Sequence, residues 1–273
     1  MVRSNFATER DHLQWVQRYA PEIEKRRGAG TTAGSASSTG APARATRPAT
    51  ALTSLASIFP KVTSVVNQKG GACKTTTALN LAAALAETGA RVLLIDADPE
   101  SHSASDWSAV RGDKNPPFTI ISMPQPTLHR AAPGLAADYD FVLIDGPPQS
   151  SPITKSAIAV ADLVLIPVQP SGADHRAAKK TGNLIEEFRP FKETQKSVFL
   201  VSRRKAGTAI ADGIPHILRT DYPSISQLQA EIPDRVAYAE ALTKGTTIFE
   251  EQPRGPGPED FRALLAEIQE LMA

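Results

Sequence analysis

Cysteine is almost absent from this chain: 273 residues contain one, Cys73. That excludes an internal disulfide framework, a multi-cysteine zinc site and a cysteine-ligated iron–sulfur cluster within one chain. Long apolar runs are missing too. No stretch of 18 apolar residues occurs, so no transmembrane helix is expected. The first ten residues carry charge with no apolar stretch behind it, which is not the pattern of a secretory signal. The expectation is a reduced, cytoplasmic protein. Net charge is also small, at +1, but it is uneven. Residues 1–60 hold eight Lys or Arg against four acids, which leaves −3 for residues 61–273. A basic tail therefore precedes a slightly acidic body. Such a tail either touches nucleic acid or another anionic surface, or is simply solvated.

What the chain does contain divides it into three parts. Residues 1–27 are basic, and after Phe6 the residues Leu13, Trp15, Val16 and Tyr19 sit among charges in a segment, 8–26, with short-helix character that Pro21 interrupts. Within residues 28–57, 26 of 30 positions are Gly, Ala, Ser, Thr or Pro. Such a composition cannot bury enough apolar area to offset its ordering entropy, so 28–60 is read as a disordered, flexible linker. Hydrophobic content of 41% and charged content of 22% still mark the chain as a whole as globular.

From residue 61 the pattern is that of one domain. Short apolar runs at 62–66, 92–95, 118–121, 141–144, 163–167 and 198–201 read as strands. Helical patterns at 75–87, 127–137, 153–160, 173–188 and 260–271 alternate with them. Apolar strands alternating with helices predict an α/β domain with a mostly parallel twisted sheet buried on both faces. No internal repeat of fixed period is present.

The stretch 62–77, VTSVVNQKGGACKTTT, runs from an apolar strand through glycines into Lys-Thr and a helix. This is the context of a phosphate-binding loop. Glycines let backbone N–H groups turn toward phosphate oxygens, and the helix N-terminus adds partial positive charge. Lys74 would reach the β- and γ-phosphates, and Thr75 would offer its hydroxyl to magnesium. The general pattern G-x-x-x-x-G-K-[ST] is not met, because residue 68 is glutamine and Cys73 replaces the last glycine. The stretch instead resembles the deviant Walker A motif, K-G-G-x-G-K-T-T, of ParA/MinD-type P-loop ATPases. Lys69, Gly70, Gly71, Ala72, Lys74, Thr75 and Thr76 fit it. The resemblance implies that Lys69 reaches across a nucleotide-sandwich homodimer to the other subunit's ATP. Cys73 departs from it, since a β-carbon there crowds the phosphates or disfavours the backbone that glycine allows. Three readings stay open: a tolerated variant, an ATPase that binds but turns over poorly, and a redox-sensitive thiol of lowered pKa.

Further motifs extend the likeness over about residues 62–271. In RVLLIDADPE, Asp96 and Asp98 stand at a strand end, where open α/β sheets bind ligands. By resemblance, Asp98 positions or activates the attacking water and Asp96 supports the magnesium shell. In DFVLIDGPP, Asp145 resembles a Walker B carboxylate that holds magnesium through water. The loop 167–170, with Pro167 and Gln169, is expected to line the adenine pocket by the same likeness. Residues 232–250 resemble the family's I-x-x-R-x-x-x-x-E-A segment, and the 98–107 stretch and the 202–205 turn look most like the small plasmid-type partition ATPases such as ParF.

The resemblance implies a slow ATPase that uses ATP and Mg2+ and dimerises on ATP. It then binds non-specific DNA on the nucleoid and positions a plasmid, chromosome or other cargo with a ParB-like partner. The candidate DNA ligands are Arg203, Arg204, Lys205, Arg219, Arg235 and Lys244, with Arg235 matched to the family segment. A hydrolysis-impaired nucleotide-binding regulator is one alternative. A MinD-like membrane positioner is another, opposed by a C-terminus where Glu259, Asp260, Glu267 and Glu270 face only Arg262. An iron-protein-like reductase is excluded, because no cluster cysteines exist.

Overall fold

Strands that read as nearly all apolar have to be covered on both faces, and this chain covers them with helices. The computed structural model describes residues 60–205 and 216–273. The expected 8–26 helix and the linker up to residue 59 lie outside the described residues. Strands β1 (Val62–Val65), β2 (Val92–Asp96), β4 (Phe141–Asp145) and β5 (Leu163–Val168) are buried at every position. They join β3 (Thr119–Ser122), β6 (Lys196–Arg204) and β7 (Ser226–Pro233) in one seven-stranded parallel sheet of order β3-β2-β4-β1-β5-β6-β7. This is the expected fold class, with one strand more than the sequence predicts.

The two faces follow from the period of two along each strand. Leu94, Leu143 and Leu165 point to one side, into a core shared with α1 (Lys74–Glu87) and α8 (Pro256–Met272). Val142 and Ile144 point to the other, toward α3 (Leu128–Leu135) and α4 (Pro152–Val160). Val164 and Ile166 meet α5 (Gly172–Phe188) on that same side. Helix α1 is rich in alanine and buried from Thr77 through Leu85, so the helix behind the phosphate loop lies close on the sheet. Each fully buried leucine in it contributes about 1.5–3 kcal/mol.

Several elements were not predicted. Strand β7, SQLQAEIP, buries only Leu228 and Ile232 and is an edge strand, so its polar residues mask it. Helix α2 (Ser103–Arg111) buries Ala104, Trp107 and, unusually, Arg111. The Arg111 guanidinium donates to the carbonyls of Lys114, Asn115 and Gly245 and to the Glu250 carboxylate, at 2.6–3.1 Å, and lies 5.3 Å from the Trp107 ring centre. It ties α2 to the turn between α6 (Val236–Thr243) and α7 (Ile248–Glu251). Gly245 is required there: its φ is +65°, and a β-carbon would stand 2.5 Å from the Arg111 backbone nitrogen. The expected 202–205 turn is strand through Arg204, with a bulge between Ser202 and Arg204.

Candidate nucleotide site

Parallel strands deliver their C-terminal ends to one edge of the sheet, and the register places the key carboxylates in one row. Asp145 pairs in register with Val65 on one side and with Asp96 on the other. The loop between β1 and α1 closes over this row.

Two positions bend that loop. Gly71 has φ +73°, and Cys73, the residue before α1, has φ +64° and ψ +22°. Cys73 thus occupies the left-handed conformation that glycine adopts freely and that costs another residue about 1–2 kcal/mol. Arg203 and His102 are also left-handed, at φ +51° and +43°. Arg203 lines the same cleft as Cys73, and His102 sits between two residues that line it, so backbone strain gathers at the rim.

Lys74 is buried, and its Nζ donates to the Lys69 carbonyl at 3.1 Å. Burial pushes its pKa down, against the pull of Asp145 and Asp98. The Thr75 hydroxyl donates to Asp145 Oδ2 at 2.6 Å. Asp145 Oδ1 is buried with no hydrogen-bond partner among the described residues. Burial raises the Asp145 pKa to about 7, opposed by the Thr75 hydrogen bond and reinforced by the Asp96 charge. A hydroxyl and a half-satisfied buried carboxylate side by side suit Mg2+, which keeps most of its ligands as water and phosphate. No cluster of three His, Cys, Asp or Glu among the described residues forms a separate metal cage.

Asp96 and Asp98 divide their work. Asp96 Oδ1 accepts from the Asp98 N–H at 3.2 Å, and Oδ2 accepts from the Ser105 N–H at 2.9 Å and hydroxyl at 2.7 Å. It holds the 98–105 turn in place, with both oxygens engaged. Asp98 lines the cleft. Burial alone would raise its pKa, but hydrogen bonds from the Ser101 hydroxyl and the Glu100 and Ser101 N–H groups, with the Lys74 charge, hold it below the usual range.

Lys69 turns back on its own subunit. Its Nζ is ion-paired with Asp174, a fully buried residue in the first turn of α5 whose carboxylate also accepts from the Ser171 hydroxyl. Asp174 was not singled out from the sequence. Its only local signal is the Ser171-x-x-Asp174 capping spacing, where Ser171 Oγ accepts from the Asp174 N–H at 3.1 Å.

The cleft has a volume of about 460 Å³. Gly70, Gly71, Ala72, Cys73, Lys74, Thr75 and Thr76 form its floor, with Asp98 and Ser101 beside them. Its far wall is Arg203, Pro233, Asp234, Arg235 and Tyr238. Pro167 and Gln169, expected in the base pocket, do not line it. The Pro167 carbonyl accepts from Asn67 Nδ2 at 2.6 Å, and the Gln169 amide donates to the Gly71 carbonyl, so both brace the loop from outside. Of the three readings of Cys73, the redox-sensitive thiol of lowered pKa is not supported. Burial pushes the Cys73 thiol up, and the Arg203 charge and Ser202 hydroxyl offset this only in part.

Over residues 63–248 the sequence matches the CobQ/CobB/MinD/ParA nucleotide binding domain. The chain belongs to that family. It is 32% identical to the chromosome-partitioning ATPase Soj of Thermus thermophilus over 75% of this chain and 93% of that protein. It is 29% identical to the maintenance of carboxysome distribution protein A of Halothiobacillus neapolitanus, covering 72% and 90%. Among solved structures, the septum site-determining protein MinD of Pyrococcus horikoshii, complexed with Mg-ADP, superposes with a TM-score of 0.61 at 23% identity, covering 77% of this chain and 96% of that one.

In this CobQ/CobB/MinD/ParA-family chain, five of the six candidate DNA ligands face carboxylates. Arg203 and Lys205 share Asp234, at 3.1 and 3.7 Å, Arg204 meets Glu231 at 2.6 Å, and Lys244 meets Glu251 at 2.6 Å. Arg235 is held by Asp260 through Nε at 2.7 Å and Nη2 at 3.1 Å, with the Tyr238 hydroxyl on the same carboxylate. Arg219 is exposed on a helical stretch, 216–221. Among the described residues no helix is long and apolar enough to cross a membrane.

Proposed function

We propose that the chain is a ParA-type ATPase that binds ATP with Mg2+ in this cleft, pairs face to face with a second copy, and binds DNA without sequence preference to position a cargo. The supporting observation is a cleft lined by Lys74, Thr75 and Asp98, with Asp145 bound to the Thr75 hydroxyl behind it and a second lysine, Lys69, immediately before Gly70, the first loop residue that lines it. Two lysines at one phosphate site are more than a monomeric site requires, and they suit an interface where two nucleotides meet.

The loop N–H groups and Lys74 would hold the β- and γ-phosphates. Thr75 and Asp145 would hold Mg2+, which when bound neutralises charge between those phosphates. Asp98, kept ionised by its hydrogen bonds, would orient the attacking water. Lys69 would leave Asp174 to meet the partner copy's nucleotide. Residues 61–273 form the ATPase domain in this reading, with 1–27 and the 28–60 linker outside it, and a ParB-like or other adaptor is the partner protein. Relatives named for chromosome partitioning and for carboxysome distribution support a nucleoid-based positioning role, without choosing the cargo.

The strained Cys73 favours a second reading, in which the chain binds ATP but turns it over poorly. Electrophoretic retardation of duplex DNA with ATP, with ADP and without nucleotide tests the main reading. Retardation with ATP that is lost in Lys69→Ala is expected. Equal retardation in all three conditions, unchanged in Lys69→Ala, contradicts the switch.

A further inference from the structure

Most cations around the cleft are already matched with acids. A different surface is not. Arg176, Lys179 and Lys180 lie in the N-terminal half of α5, all exposed, at the i, i+3, i+4 spacing that puts them on one face. Arg219 is exposed on the neighbouring helical stretch 216–221. Among the described residues, these four side chains take part in no ion pair or hydrogen bond.

The two helical segments are packed into one surface. His175 Nε2 lies 2.9 Å from Asp221 Oδ2, and the Tyr222 hydroxyl donates to the Lys179 carbonyl at 3.3 Å. At Gly182 a β-carbon would be 2.7 Å from the Tyr222 ring, so the close approach depends on glycine. The acids further along α5 are occupied: Glu186 pairs with Arg189, and Glu187 with Lys155. In a body of net charge −3, four unmatched cations on adjoining helices are a local positive patch.

We propose that this patch, the N-terminal half of α5 with residues 216–221, is the surface that contacts the phosphate backbone of duplex DNA. The proposal rests on the DNA-binding reading above and moves its contacts away from Arg203, Arg204, Lys205, Arg235 and Lys244. Lysines and arginines on one helix face neutralise successive phosphates, and Ile217, 39% exposed, is the only large apolar side chain exposed on the two described segments, short of the continuous apolar face that enters a lipid interface. The helix is also tied to the nucleotide site. Asp174 holds Lys69 five residues before Lys179 on the same helix, so a lysine that leaves Asp174 acts on the patch-bearing helix itself.

The test uses the full chain with ATP and Mg2+ and measures duplex affinity against salt concentration. Variants are the triple Arg176→Ala/Lys179→Ala/Lys180→Ala, the single Arg219→Ala, the conservative Lys179→Arg/Lys180→Arg, and Arg204→Ala/Lys244→Ala from the matched set. Thermal midpoints check folding. The triple is expected to lose at least about tenfold in affinity and about two to three from the slope of log K against log salt, near 0.9 per lost phosphate contact. Arg219→Ala is expected to lose about one from that slope, and the conservative variant is expected to retain binding. Loss in Arg204→Ala/Lys244→Ala with the triple unaffected overturns the surface but leaves the DNA-binding reading intact. Wild-type protein that binds no DNA overturns both. Binding to vesicles of anionic phospholipid, lost in the triple while DNA retardation persists, overturns the assignment to DNA.

Discussion

Lys69, at the mouth of the phosphate loop, is ion-paired with Asp174, whose carboxylate is fully buried at the start of α5. The two residues are 105 positions apart. In the proposed reading this pair stores within one subunit the lysine that a face-to-face dimer needs, so dimerisation has to displace it.

Removing the stored state lowers that cost. In Asp174→Asn the Ser171 cap keeps an acceptor side chain while the charge that holds Lys69 is gone. Analytical ultracentrifugation with ATP and Mg2+ is expected to show dimers at about five- to tenfold lower protein concentration, a coupling of about 1 kcal/mol. An unchanged dimerisation constant contradicts the storage role.

Cys73 gives the second prediction. Its φ of +64° is one that glycine adopts without penalty. Cys73→Gly relieves the β-carbon strain but loosens the unfolded chain, so the net gain is about 1 kcal/mol, or about 2–4 °C in thermal midpoint. ATP turnover is expected to rise in the same variant. The raised thiol pKa further predicts slow alkylation at neutral pH with and without nucleotide. A midpoint and turnover equal to wild type would show that the loop tolerates the β-carbon.

Asp145 links pH to stability. Its carboxyl has a pKa of about 7 in the folded protein, above the unfolded value near 4, because burial disfavours its charge. The contribution of such a group to stability is complete below the unfolded value and is lost as pH rises through about 7. Asp145→Asn keeps an acceptor for Thr75 and carries no charge. It is therefore expected to stabilise the nucleotide-free protein at about pH 8, on the order of 1–3 kcal/mol, and hardly at all near pH 4. With Mg-ADP present the order reverses, because the variant lacks the carboxylate that suits the metal. Midpoints at the two pH values, with and without Mg-ADP, read this directly, and a pH-independent difference contradicts it.

The legible parts of the molecule were those written in consecutive residues. The apolar runs of β1, β2, β4 and β5 and the loop from Lys69 to Thr76 show their role locally, because a strand buried on both faces admits few polar residues. Strand β7 was hidden because an edge strand buries only every second or fourth side chain. Asp174 and Arg111 were hidden because their partners, Lys69 and Glu250, come from distant segments. Pro167 and Gln169 bear on the loop through Asn67 and Gly71 and do not line the described cleft, since adjacency in sequence does not say which face of a turn meets it. The direction of the Cys73 shift was not legible for a similar reason. Helix start and Lys74 are visible in sequence, but the burial that dominates is not.

The central claim is that the Lys74, Thr75, Asp98 and Asp145 constellation hydrolyses ATP in a dimer completed by Lys69. Phosphate release from Mg-ATP by the full chain, with and without duplex DNA, tests it most directly. The account predicts slow release that DNA increases and that Asp98→Ala and Lys69→Ala both abolish. No release above buffer in either condition, or release that persists in Asp98→Ala, contradicts it.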